Sequence, residues 1–167
     1  FTLIEILVVI FIVGFLSTVI LLSFRTGQTG ALLNRSAAAF ESEIRKTQNL
    51  AIASAGAFPC GFGLHYIDNK NFLIYAGHLG GAPKCKDSAH NYQAGVDTVY
   101  EQLKLVEERA VFKNSFPDIF YEPPNPDIYI NDNRSPGVSF TIEICLETDL
   151  AQCRTLTVDT GGRIVIQ

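Results

Sequence analysis

Residues 1–24, FTLIEILVVIFIVGFLSTVILLSF, decide how the remainder of the chain is read. Their only ionisable side chain is Glu5, and all 13 Lys and Arg residues of the chain lie at Arg25 or later. About 20 apolar helical residues cross the hydrocarbon of a bilayer, and this run reaches about 36 Å as a helix. A membrane-spanning helix is the expectation. A cleavable secretory signal would open on Met with a basic leader and a shorter apolar stretch. This run has neither feature, so Phe1 is expected to follow a cut that kept the apolar helix.

The rest of the chain is ordinary in composition. Across 167 residues, 47% are hydrophobic and 18% charged, and mean hydropathy is +0.19, too apolar for a disordered chain. The net charge of -4 argues against a nucleic-acid binder that works through a generally basic surface.

A carboxylate inside a membrane helix costs about 2–4 kcal/mol unless it is paired or protonated. Arg25, the first basic side chain, lies roughly 30 Å further along a helix. Three readings of Glu5 follow. It pairs with the amine of its own Phe1, one turn away; it pairs with the amine of a second copy; or it sits protonated near the membrane surface and does nothing.

The opening Phe1-Thr2-Leu3-Ile4-Glu5, followed by an unbroken apolar run with Gly14, resembles the mature N-terminus of the type IV pilin and type II secretion pseudopilin superfamily. The resemblance implies that a prepilin peptidase cuts before Phe1 and methylates its amine. It also implies that Glu5 neutralises the N-terminus of a neighbouring subunit, that Thr2 adds a supporting hydrogen bond, and that Gly14 begins a stretch able to lose helical form in the filament. Leu22 stands where many pilins carry Pro, and Gly27 and Gly30 offer a break further along. The partners implied are copies of the chain in a helical filament, the bacterial inner membrane before assembly, and a pilus assembly machine with its own ATPase.

Three segments are expected: an apolar helix over 1–24, an amphipathic helix over 25–56, and a β-rich head over 57–167. In the second, Leu33, Ala37, Phe40, Ile44, Thr47 and Ala51 form one helical stripe. That helix should end near Ala55, with Gly56 as a left-handed stop and Pro59 beyond. GFGLHYI and NFLIYAG flank Asp68-Asn69-Lys70 and read as a hairpin; Gly80 to Gly95 reads as a loop. Val99 to Val111 alternates well enough for a strand through Val99, Leu103 and Leu105 yet holds strong helix formers; the strand is the favoured reading. DIFYEPPNPDIYIN is broken by prolines, while VSFTIEICLE and RTLTVDTGGRIVIQ form a hairpin, with Cys145 on the wet face of its first strand. The fold class is therefore α+β, a long N-terminal helix packed on a C-terminal antiparallel β-sheet. The last part, with Gly162-Arg163-Ile164, resembles the heads of H-type minor pseudopilins and FimT-like pilins.

Of the three connectivities open to four cysteines, pairing Cys60 with Cys85 and Cys145 with Cys153 closes two short loops, as suits an oxidising compartment. Zinc is the rival, but no interval resembles a metal knuckle. His65, His78 and His90 read as surface or packing residues, and 127–133 lacks the spacing of a calcium loop. Tyr66, Phe72, Tyr75, Tyr92, Tyr121 and Tyr129 read mainly as sheet packing. Two tripeptides, Asn34-Arg35-Ser36 and Asn133-Arg134-Ser135, fit the N-glycosylation pattern, but so short a pattern arises often by chance and bears no weight in the sequence alone. No nucleophile motif or phosphate loop stands out, so neither an enzyme nor a cofactor is expected. DNA capture would rest on Lys84 and Lys86 alone. The expected function is a structural subunit of an extracellular pilus-like filament, with adhesion to a host or cell-surface ligand and twitching motility among its uses. The alternatives are a minor pseudopilin of a type II secretion system and a monomeric membrane-anchored binding protein.

Overall fold

The computed structural model describes residues 2–54, 59–124 and 127–167, with backbone alone over 19–27. The chain is α+β, with one long N-terminal helix followed by antiparallel sheets. It divides into two units, residues 1–32 and Leu33–Gln167.

Helix α1 runs Leu3–Ala53. Thr2 starts it, its carbonyl accepting from Glu5 N–H at 3.1 Å while the Glu5 carboxylate accepts from Thr2 N–H at 3.3 Å. This is one half of the reciprocal bonding that a Thr-x-x-Glu start provides. At the far end Ser54 N–H donates to Leu50 O and its hydroxyl to Ala51 O. The helix thus closes within two residues of the expected end; Gly56 lies outside the described residues. Among the described residues no helix is long and apolar enough to cross a membrane.

In the second unit, all six stripe residues of α1 are at most 2% exposed. The spacing of 3.6 residues per turn brings them onto one side, and Phe40 sits at their centre. Its ring meets Phe72 at 5.0 Å, Phe112 at 5.1 Å and Phe116 at 5.6 Å, edge-on or tilted. Polar residues off the stripe pair at the surface: Arg45 with Glu41 at 2.6 Å, and Lys46 with Glu43 at 3.2 Å and Glu101 at 2.6 Å.

Nine strands follow among the described residues: β1 Gly61–Tyr66, β2 Asn71–Gly77, β3 Thr98–Lys104, β4 Ala110–Phe112, β5 Ile119–Glu122, β6 Asp127–Ile130, β7 Ser139–Leu146, β8 Asp149–Asp159 and β9 Ile164–Ile166. They make two antiparallel sheets, ordered β3-β2-β1-β5-β6 and β4-β7-β8-β9. The single sheet expected from sequence is thus two. The division falls inside Val99 to Val111, which reads as one strand: β3 joins β2, whereas β4 pairs Ala110 with Leu146 in the other sheet. The proline-broken stretch also supplies two strands, β5 and β6, which pair antiparallel from Ile119–Ile130 to Glu122–Asp127. In β7 the alternation fails at Cys145, which is fully buried because its disulfide with Cys153 on the neighbouring strand covers it. Both expected disulfides are present, Cys60–Cys85 and Cys145–Cys153.

Register gives the five-stranded sheet two unlike faces. Pairing Tyr66 with Phe72, Leu64 with Ile74 and Phe62 with Tyr121 places these side chains together on the face of the Phe40 cluster. The opposite face receives Gly61, Gly63, His65, Leu73, Tyr75, Gly77, Phe120 and Tyr129.

Candidate functional site

Two places carry chemistry. The first is the start of α1. From Leu3 to Leu16, twelve large apolar side chains are 48–83% exposed and none is buried. The hydroxyls in this stretch turn inward on the helix: Ser17 donates to Val13 O and Thr18 to Phe15 O, both at 2.7 Å. A Cβ added to Gly14 would meet nothing within 4 Å, so the backbone is bare there. Among the described residues Glu5 is held only by the long bond from Thr2 N–H, and no basic side chain lies within ion-pair distance of it. Phe1 lies outside the described residues, as do the side chains of Leu22 and Arg25.

The second is the glycine-bearing face of the five-stranded sheet. Without side chains at 61, 63 and 77, aromatic rings lie directly on the backbone. A Cβ at Gly77 would come 2.6 Å from the Phe120 ring, and one at Gly63 would overlap the Tyr75 ring. Over these rings passes the segment 78–97, tethered by Cys60–Cys85. His90 is its anchor. The imidazole is 4% exposed, its Nδ1 lies 2.6 Å from Asp132 Oδ1, and the Tyr75 hydroxyl donates to its carbonyl at 2.7 Å. Next to it, Asp118 takes Tyr92 N–H at 2.6 Å on one oxygen and stands 2.7 Å from His65 Nδ1 on the other. Asp97 caps the amides of His78 and Gln93.

Burial first, then the bond to Glu122, pushes the Tyr129 hydroxyl up to about 12. Burial also holds the Tyr75 hydroxyl well above its ordinary range, helped by Asp118, Asp97 and Asp132. Both phenols therefore stay neutral and serve as hydrogen-bond donors. His90 Nε2 has no hydrogen-bond partner among the described residues and faces Glu122 Oε2 at 3.9 Å. Among the described residues no three His, Cys, Asp or Glu side chains converge as metal ligands. What this arrangement does chemically is fasten the 78–97 segment to the sheet.

The structure thus brings together His90, Tyr75, Tyr92 and Tyr129, which sequence reasoning left apart, while Tyr66, Phe72 and Tyr121 pack on the helix-facing side. The partner it could not supply is Asp132, which reaches His90 from a turn 42 residues away. Set against protein families, curated proteins and solved structures, the chain finds no match.

Proposed function

We propose that the chain is the structural subunit of a pilin-like filament, anchored in a membrane through its apolar N-terminal segment before assembly and packed against copies of itself afterwards. The observation that supports this most strongly is the all-round exposure of the twelve apolar side chains between Leu3 and Leu16. Each such side chain gains about 1.5–3 kcal/mol on full burial. A helix of this kind left in water forgoes on the order of 10 kcal/mol, so lipid or other helices must cover it.

Lipid and protein are equally greasy covers, and the acid selects between them. A carboxylate in hydrocarbon gains most from a cation, and the amine of an adjoining copy supplies one at the right depth. Because that contact runs head to tail with no closing rotation, repetition extends a fibre. Minor pseudopilin and pilus subunit share this core and differ in what the head contacts.

A second reading, a monomeric anchored binding protein, is favoured by the bond between Glu5 and Thr2 N–H, which gives the acid a partner inside its own chain. Electron microscopy of fibres from cells carrying Glu5→Ala separates the two. The filament reading expects fibres to be lost while both disulfides still form; fibres of normal number would favour the anchored monomer. Mass spectrometry of wild-type fibres should find this chain as the principal protein, with a methylated Phe1.

A further inference from the structure

The two glycosylation tripeptides are not equivalent in the fold. In Asn34-Arg35-Ser36 the serine is fully buried and lies inside α1, where an acceptor tripeptide cannot extend into an enzyme. Asn133-Arg134-Ser135 is exposed at all three positions. It leaves a two-residue turn in which Asn131 and Asp132 take φ of 52° and 61°, as such tight reversals require. Ile130 N–H donates to Asn133 O at 2.9 Å and Asn133 N–H to Ile130 O at 3.1 Å, which fixes the Asn133 backbone.

Local bonds turn the tripeptide toward solvent. Ser135 N–H donates to Asn133 Oδ1 at 2.9 Å, folding the tripeptide into an Asx turn. That bond occupies the carbonyl end of the amide and leaves Nδ2 outward, without a partner among the described residues. The Ser135 carbonyl is pinned by the Thr160 hydroxyl at 3.0 Å, and the following Pro136 keeps Ser135 out of the helical region.

We propose that Asn133 is an N-glycan acceptor, independently of whether the chain polymerises. The donor is a glycosyl diphosphate, carried on a nucleotide or on a lipid. Asn133 Nδ2 bonds to the anomeric carbon, the bond from that carbon to the diphosphate oxygen breaks, the diphosphate leaves with the electron pair, and the amide proton passes to a base of the transferase. No oxidant or reductant is involved.

The test is peptide mass spectrometry on full-length protein purified from its native cells. The expected result is a sugar increment on the peptide with Asn133, lost in Asn133→Gln and in Ser135→Ala and kept in Asn34→Gln. A single-hexose increment identifies a nucleotide donor; an oligosaccharide increment identifies a lipid-linked one. Recovery of the Asn133 peptide wholly unmodified, or an increment that survives Ser135→Ala, overturns the proposal.

Discussion

The His90 imidazole lies flat on the Tyr129 phenol, centroids 3.6 Å apart and planes 6° from parallel. With the Asp132 bond, this stack fastens the 78–97 segment at His90. His90→Ala should cost about 2–3 kcal/mol and speed hydrogen exchange at Tyr92 and Gln93 while the α1 stripe stays protected. His90→Phe keeps the ring and loses the Asp132 bond, so it should fall between. Exchange at those amides unchanged in His90→Ala would mean that the disulfide and the bonds from Tyr75, Asp118 and Asp97 hold the segment without the stack.

Gly77 and Gly61 should respond differently to the same change. A Cβ at Gly77 meets only the Phe120 ring closely, whereas one at Gly61 also meets the backbone oxygen of Tyr121. Each alanine substitution should destabilise by about 1–3 kcal/mol or more. Adding Phe120→Leu should recover part of the loss for Gly77→Ala and little for Gly61→Ala, as read from denaturant midpoints in a double-mutant cycle. Equal recovery in both would contradict the geometry.

The disulfides differ in the chain they close. Cys60–Cys85 spans 25 residues and Cys145–Cys153 spans 8. Loop-closure entropy then assigns about 3.5 kcal/mol to the first and about 2.5 kcal/mol to the second. Replacing each pair by Ala and comparing unfolding midpoints checks the order.

Stability should fall on the alkaline side. Tyr129 is raised to about 12, Tyr75 and Tyr121 are raised by burial, and Lys46 is raised first by its bond to Glu101. For groups whose folded values lie above their unfolded ones, stabilisation is complete below the unfolded value and drains away as pH climbs through the folded one. The loss should begin near 10 and continue to about 12 and beyond, and Tyr129→Phe should remove part of it. Asp68, Asp149 and Asp159 have lowered values from bonds to Asn71, Gln152 and the Arg163 amide respectively, so their smaller support disappears as pH falls below the ordinary carboxylate range. A flat stability profile above pH 10 would rule out the alkaline part.

Glu5→Gln separates charge from capping. Glutamine still accepts from Thr2 N–H but cannot neutralise an amine. If Glu5 works as a charge, Glu5→Gln should lose fibres as Glu5→Ala does; if it only starts the helix, Glu5→Gln should assemble normally under electron microscopy.

The helix stripe, the strand hairpins and both disulfides were legible because each follows from local periodicity or from pairing of near neighbours. Leu33 through Ala51 is a 3.6-residue repeat, and Gly61–Tyr66 with Asn71–Gly77 is an alternation around a polar turn. What could not be read are pairings set by distance in the fold. Nothing local sends β3 and β4 to different sheets, or brings Asp132 to His90. Alternation puts Cys145 on the wet side because it counts faces and takes no account of a cross-strand bridge.

Gly61, Gly63 and Gly77 leave gaps on one side of the β1–β2 hairpin, filled over Gly63 by the hairpin's own Tyr75 and over Gly61 and Gly77 by Phe120 from β5, beneath the segment tethered through Cys85. Cut out as a peptide, residues 59–78 would have nothing to stand on and should be unstructured in water. The head is consequently built to form all at once or not at all, with no autonomous fragment in its first half.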